Sequence, residues 1–161
     1  MTPSNMSRAV RPTGSPNLDP NRGRDAGPLA RRDFYVYAIN FAALAAASAN
    51  TGAIQIQADS DFELQKLSFF ADVAGAAQTE SARVIPLVAM QITDTGTGRQ
   101  TFNTEIPIGA IMGDGRIPFI LPTTKIFSAN ASVAFSLTNY SAATTYNLRL
   151  CLIGAKLFRY G

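Results

Sequence analysis

Histidine is absent from the 161 residues, and cysteine occurs once, as Cys151. That removes the Ser-His-Asp and Cys-His arrangements that activate a nucleophile, and the usual His and Cys zinc sets. Carboxylates remain. Asp94-Thr95-Gly96 matches the triplet of aspartic proteases, in which two aspartates share one proton, and a second chain would have to supply the partner. Its flank, Thr97-Gly98-Arg99, makes the same stretch a polar hairpin tip, and Asp and Gly are residues such a tip uses. A turn is the expected role. Asp59, Asp61 and Glu63 alternate as calcium ligands can, yet no glycine at the loop turn and no closing acid follow. Exposed strand carboxylates are the simpler expectation. Gly113-Asp114-Gly115 lacks the strand-turn-helix setting of a phosphate loop and reads as a tight turn. Cys151 lies in an apolar run and is expected to be an inert, buried thiol. The sequence therefore predicts no catalytic residue, no metal site and no cofactor.

The arginines pose the remaining question. Residues 1–33 hold Arg8, Arg11, Arg22, Arg24, Arg31 and Arg32 against three aspartates, a net +3. Residues 34–161 hold eight basic and eight acidic side chains, so the basic character belongs to the leader. Such arginines can neutralise nucleic-acid phosphates. Here they are dispersed among aspartates, without lysine runs or stacking aromatics, which disfavours nucleic acid. Pairing with carboxylates on protein neighbours is the preferred role, making these six residues the candidate protein-interaction arm. Asn130-Ala-Ser132 and Asn139-Tyr-Ser141 match the glycosylation acceptor pattern. No secretory leader and no membrane-length apolar run is read, so neither acceptor is expected to be used and synthesis is expected in a cytosol.

Composition divides the chain at residue 33. Residues 1–33 carry five of the nine prolines and few large apolar side chains, too little to offset the entropy of ordering. They are expected to form an extended arm that orders on contact. Residues 34–161 are expected to form one all-β domain. Phe34–Phe41 is rich in β formers and supplies a first strand, followed by an irregular Ala-rich connection ending at Gly52. Ile54 and Ile56 alternate with glutamines over Ala53–Ala58. In Phe62–Val73 the apolar phase slips between Leu64 and Leu67, which predicts a β-bulge near Gln65-Lys66. Arg83–Thr93 contains Pro86, and the pieces Ile117–Pro122 and Lys125–Phe127 also carry proline, so edges or bulges are expected there.

Ser128–Lys156 reads as a long antiparallel hairpin. Val133, Phe135 and Leu137 alternate outward, and Tyr146, Leu148, Leu150 and Leu152 alternate on the return. About eight short strands at this spacing predict an antiparallel β-sandwich or jelly roll.

Four stretches within about Tyr35–Phe158 resemble small structural proteins of tailed bacteriophages. They are Ile54-Gln-Ile-Gln-Ala-Asp with Asp61-Phe, Val88 to Arg99, Pro118-Phe-Ile-Leu-Pro with Ile126-Phe, and Val133 through Leu150 closing on Ile153-Gly-Ala-Lys. The resemblance implies a virion jelly-roll subunit of head-decoration, cement or collar type, working as a homo-oligomer (a trimer or ring). Its partners would be the major capsid protein or the portal and neck proteins. A coat protein of a small icosahedral virus and a carbohydrate-binding sandwich are the alternatives. Residues 1–33 lie outside the resemblance.

Overall fold

The computed structural model describes residues 31–75 and 84–158. Nine strands and one helical turn follow in order. They are β1 (Arg31–Leu44), β2 (Ala49–Gln55), β3 (Asp61–Val73), β4 (Val88–Asp94), β5 (Arg99–Gln100), β6 (Ile106–Pro107), α1 (Ile108–Ile111), β7 (Phe119–Phe127), β8 (Ser132–Asn139) and β9 (Tyr146–Phe158). One sheet runs β1-β9-β3-β7 and the other β2-β8-β4-β5, with β6 also pairing β4. All of these ladders are antiparallel. Apart from the β4–β5–β6 run, each step along the chain crosses from one sheet to the other. That order is a jelly roll, as the strand count and spacing led us to expect.

Period-two alternation places the core. Tyr37 and Phe41 of β1, Leu148, Leu150 and Leu152 of β9, and Phe62, Leu64 and Leu67 of β3 face inward from the first sheet. Ile54, Met90, Ile92, Val133, Phe135 and Leu137 face them from the second. Each such side chain contributes roughly 1.5–3 kcal/mol of transfer free energy. The predicted bulge is present: the register of β3 shifts between Leu64 and Lys66 against both β7 and β9. Gly154 of β9 sits opposite it, so close that a Cβ there would lie 1.9 Å from the Glu63 carbonyl oxygen.

Several expectations are corrected. The Ser128–Lys156 hairpin is not a hairpin: β8 and β9 lie in opposite sheets, joined by an arch. Their apolar rows were assigned to the inside correctly, but they face one another across the core instead of lying side by side in one sheet. Asn139 holds the arch. It is 1 % exposed, and its Nδ2 donates to the carbonyl oxygens of Leu44, Ala45 and Thr144 at 3.2, 2.9 and 2.9 Å. Its Oδ1 accepts from the Ser141 amide at 2.9 Å.

The Ala-rich connection proves to be strand on both sides of a short turn, since β1 continues to Leu44 and β2 begins at Ala49. Pro86 precedes β4 instead of interrupting it, because its missing N–H would break the β8 ladder. Ile117–Pro122 and Lys125–Phe127 belong largely to one strand, β7, which does form a sheet edge. Ile106–Met112 contains β6 and the single turn α1.

Candidate interaction surface

β1 begins at Arg31, so a boundary at residue 33 cuts through a strand. Arg31 pairs with Phe158 and Arg32 with Leu157. The Arg31 guanidinium lies 5.6 Å from the Phe158 ring centre and meets the Asp33 carboxylate at 2.6 Å. Arg32 pairs with Glu63 across the sheet. These two arginines therefore lie on the surface of the sandwich at the start of β1, with side chains 62 % and 53 % exposed. Arg8, Arg11, Arg22 and Arg24 lie outside the described residues.

The carboxylates singled out by spacing turn to separate partners. The Asp94 carboxylate accepts from the Gly96 amide at 3.1 Å and from the Thr97 hydroxyl at 2.9 Å, the geometry of a hairpin tip. Asp61 accepts from the Ala129 amide at 2.9 Å, and Asp59 receives the Lys156 ammonium at 2.8 Å. Asp114 closes the Gly113–Gly115 turn by accepting from the Arg116 and Ile117 amides at 2.9 and 2.8 Å.

Lys156 is the unexpected member of this group. It points inward at the end of β9 and is 6 % exposed. Its Nζ lies 4.6 Å from the Tyr35 ring centre and 5.9 Å from that of Phe158. Gln57 and Asp59 accept its hydrogen bonds. Burial pushes the Lys156 ammonium down, but the Asp59 hydrogen bond and charge, aided by Tyr37 and Tyr35, outweigh it and leave the pKa above 10.5. The same hydrogen bond, ahead of weaker opposing desolvation, holds Asp59 below 3.8.

The two outer faces differ in character. Cross-strand register places Thr51, Ala53, Ser136, Thr138, Gln91 and Thr93 on the outside of the second sheet, all small or polar. On the first sheet, register carries Val36, Ile153, Lys66 and Ile120 across one row, and Phe34, Ala155, Glu63 and Ile126 across the next. Phe34 is 77 % exposed and Ile120 66 %. Cys151 lies on this outer face, half-buried between Ala38 and Ser68, and not in the core. Lys66 and Glu63 of β3 separate the apolar side chains of β1 and β9 from those of β7, and exposed apolar side chains gathered on one face in this way mark a place where something else packs.

No protein-family model and no curated protein matches this chain. The surface must therefore be judged on its own chemistry. The spacing of charged residues carries no information about Phe34, Val36, Ile120, Ile126 and Ile153. The signal was present in Phe34–Phe41, where both parities are apolar although an edge strand needs only one. Among the described residues, no helix is long and apolar enough to cross a membrane.

Proposed function

We propose that this chain is a non-enzymatic structural subunit of a tailed-bacteriophage virion, a decoration, cement or collar protein that works as a homo-oligomer on the capsid or neck. A jelly roll alone hosts many functions, so the fold is not the observation that carries the reading. That observation is the apolar outer face of the β1-β9-β3-β7 sheet, which an isolated subunit leaves in water. The ionic side chains described above support the reading, since each is engaged in turns, caps or strand ends. A cement subunit needs a stiff block, a surface that neighbours cover, and a tether. The leader of about 30 residues can span up to ~100 Å when extended. Its contacts raise the effective concentration of the block at its seat, and symmetry repeats every weak contact.

The test is rebinding to particles that lack the protein. Because Arg31 and Arg32 belong to β1, the informative truncation removes residues 1–30. The full chain is expected to attach and the truncated chain to remain folded but unattached. Equal attachment of both would overturn the tether. At low ionic strength the full chain is expected to leave duplex DNA unbound.

The same strand order also occurs in viral coats, which favours a second reading as a coat protein of a small icosahedral virus. Isolated protein closing into shells on its own would select that reading.

A further inference from the structure

We propose that the groove above the β1 bulge binds a neutral saccharide through two adjacent hydroxyl groups. The proposal stands on the groove alone and does not depend on the virion reading. The pairing of β1 with β9 is interrupted between Phe41 and Leu44, where Ala43 adopts a left-handed φ of 50°. Bulges and strained residues of this kind concentrate at functional sites. Beside the bulge lies a groove of about 570 Å³ lined by Asn40, Ala42, Phe70, Asp72, Asn147 and Arg149 among others, a size suited to a small ligand.

Asp72 is the reason to assign a ligand. It is 1 % exposed, and its Oδ2 is buried without a hydrogen-bond partner among the described residues. Its Oδ1 accepts from Asn147 Nδ2 at 2.8 Å, while Asn147 Oδ1 accepts from the Ala43 amide at 2.9 Å. Asn147 is thereby used at both ends and fixes the carboxylate. Across the groove, Arg149 Nε donates to Asn40 Oδ1 at 2.6 Å. That contact leaves the terminal nitrogens of Arg149 and the amide nitrogen of Asn40 as uncommitted donors among the described residues. Buried acceptors without a partner are rare and call for an explanation.

The opposed charges select the ligand class. A cation drawn to Asp72 meets Arg149, and an anion drawn to Arg149 meets Asp72. A neutral group that carries donor and acceptor on adjacent atoms satisfies both, and a sugar diol is such a group. One hydroxyl donates to Asp72 Oδ2, and the neighbouring oxygen accepts from Arg149. Register makes the two residues diagonal across β3 and β9, with Asp72 opposite Asn147 and Phe70 opposite Arg149. Diagonal residues lie about 7–8 Å apart, within the reach of two side chains that converge on one sugar ring.

The full chain, labelled with ¹⁵N, is titrated with the methyl α-glycosides of mannose, glucose, galactose and N-acetylglucosamine. The expected result is saturable shifts of the Asn40 and Asn147 side-chain amides and of Arg149 Nε–H with at least one glycoside. Asp72→Asn should weaken that binding by roughly tenfold or more, the loss of one charge-assisted hydrogen bond. Arg149→Met, at an exposed position that does not threaten folding, should weaken it as well. The proposal is overturned if none of the four glycosides shifts these groups or if the shifts survive both substitutions. It is also overturned if methylguanidinium acts at lower concentration than any glycoside, which would make this a cation site.

Discussion

At the scale of single residues, buried polar side chains do more to define this protein than its charges do. Asn139 joins Leu44, Ala45 and Thr144 through one amide nitrogen. Asn139→Ala strips three carbonyls of a donor at a buried site and is expected to cost roughly 3 kcal/mol, read from the urea midpoint at constant slope. Gly154→Ala is expected to cost at least about 3 kcal/mol by the same measurement, because a Cβ 1.9 Å from the Glu63 oxygen forces β3 and β9 apart. Lys156 and Asp59 make stability depend on pH at both extremes. Asp59 has a lowered pKa in the folded state, so its contribution is present above pH 3.8 and fades as pH falls through the folded value. Lys156 has a raised pKa, so its contribution is complete below 10.5 and fades as pH rises through the folded value. Asp59→Asn should flatten both limbs of a plot of urea midpoint against pH. Little of this was legible in the sequence. Asn139 was visible only as a glycosylation pattern, and Lys156 as one more polar residue in a strand. Their roles depend on partners 94 to 99 positions away.

At the scale of elements, the sequence was informative about faces and poor about neighbours. Alternation in β8 and β9 identified the inward residues correctly, because a period of two is local. Which strand lies beside which is decided by arches, and Tyr140–Thr144 looks the same whether it closes a hairpin or crosses between sheets. The bulge in β3 was legible because the phase of its apolar residues slips. Deleting Gln65, the residue left unpaired, should therefore remove the bulge and be tolerated, since Phe62, Leu64, Leu67 and Ala71 then follow one unbroken period of two on the inward face. Circular dichroism and heteronuclear NMR would report a retained fold. The two edges of the first sheet are guarded unequally. β7 carries Pro122 and Lys125, whose ammonium points inward, 5.1 Å from the Phe127 ring centre, and donates to Thr101 at 3.1 Å. Desolvation, with Arg99 adding to it and Asp94 opposing, lowers the Lys125 pKa, so its charged form is held at a cost. An inward charge on an edge strand discourages pairing with another chain. Lys125→Met should leave the fold intact and increase self-association in sedimentation at raised concentration.

At the scale of the whole molecule, the contrast between outer faces is the main functional statement. Substituting Ile120→Lys places a charge in the exposed apolar row without touching the core, and should weaken attachment or oligomer formation while the urea midpoint moves by less than about 0.5 kcal/mol. An equivalent change on the second sheet, Thr51→Lys, should leave attachment as it is. Only the register of four strands shows that Phe34, Val36, Ile120, Ile126 and Ile153 share one side. One further feature bears on how the protein can be used. Arg31 lies against Phe158, so the backbone enters and leaves the sandwich at one corner, with the Asp59 turn and the Asp94 tip close by. The Tyr140–Thr144 arch is at the other pole. A foreign peptide spliced between the exposed Ala142 and Ala143 would be carried away from the corner where Arg31 meets Phe158. Under the proposed virion role, the arch is the handle for displaying cargo.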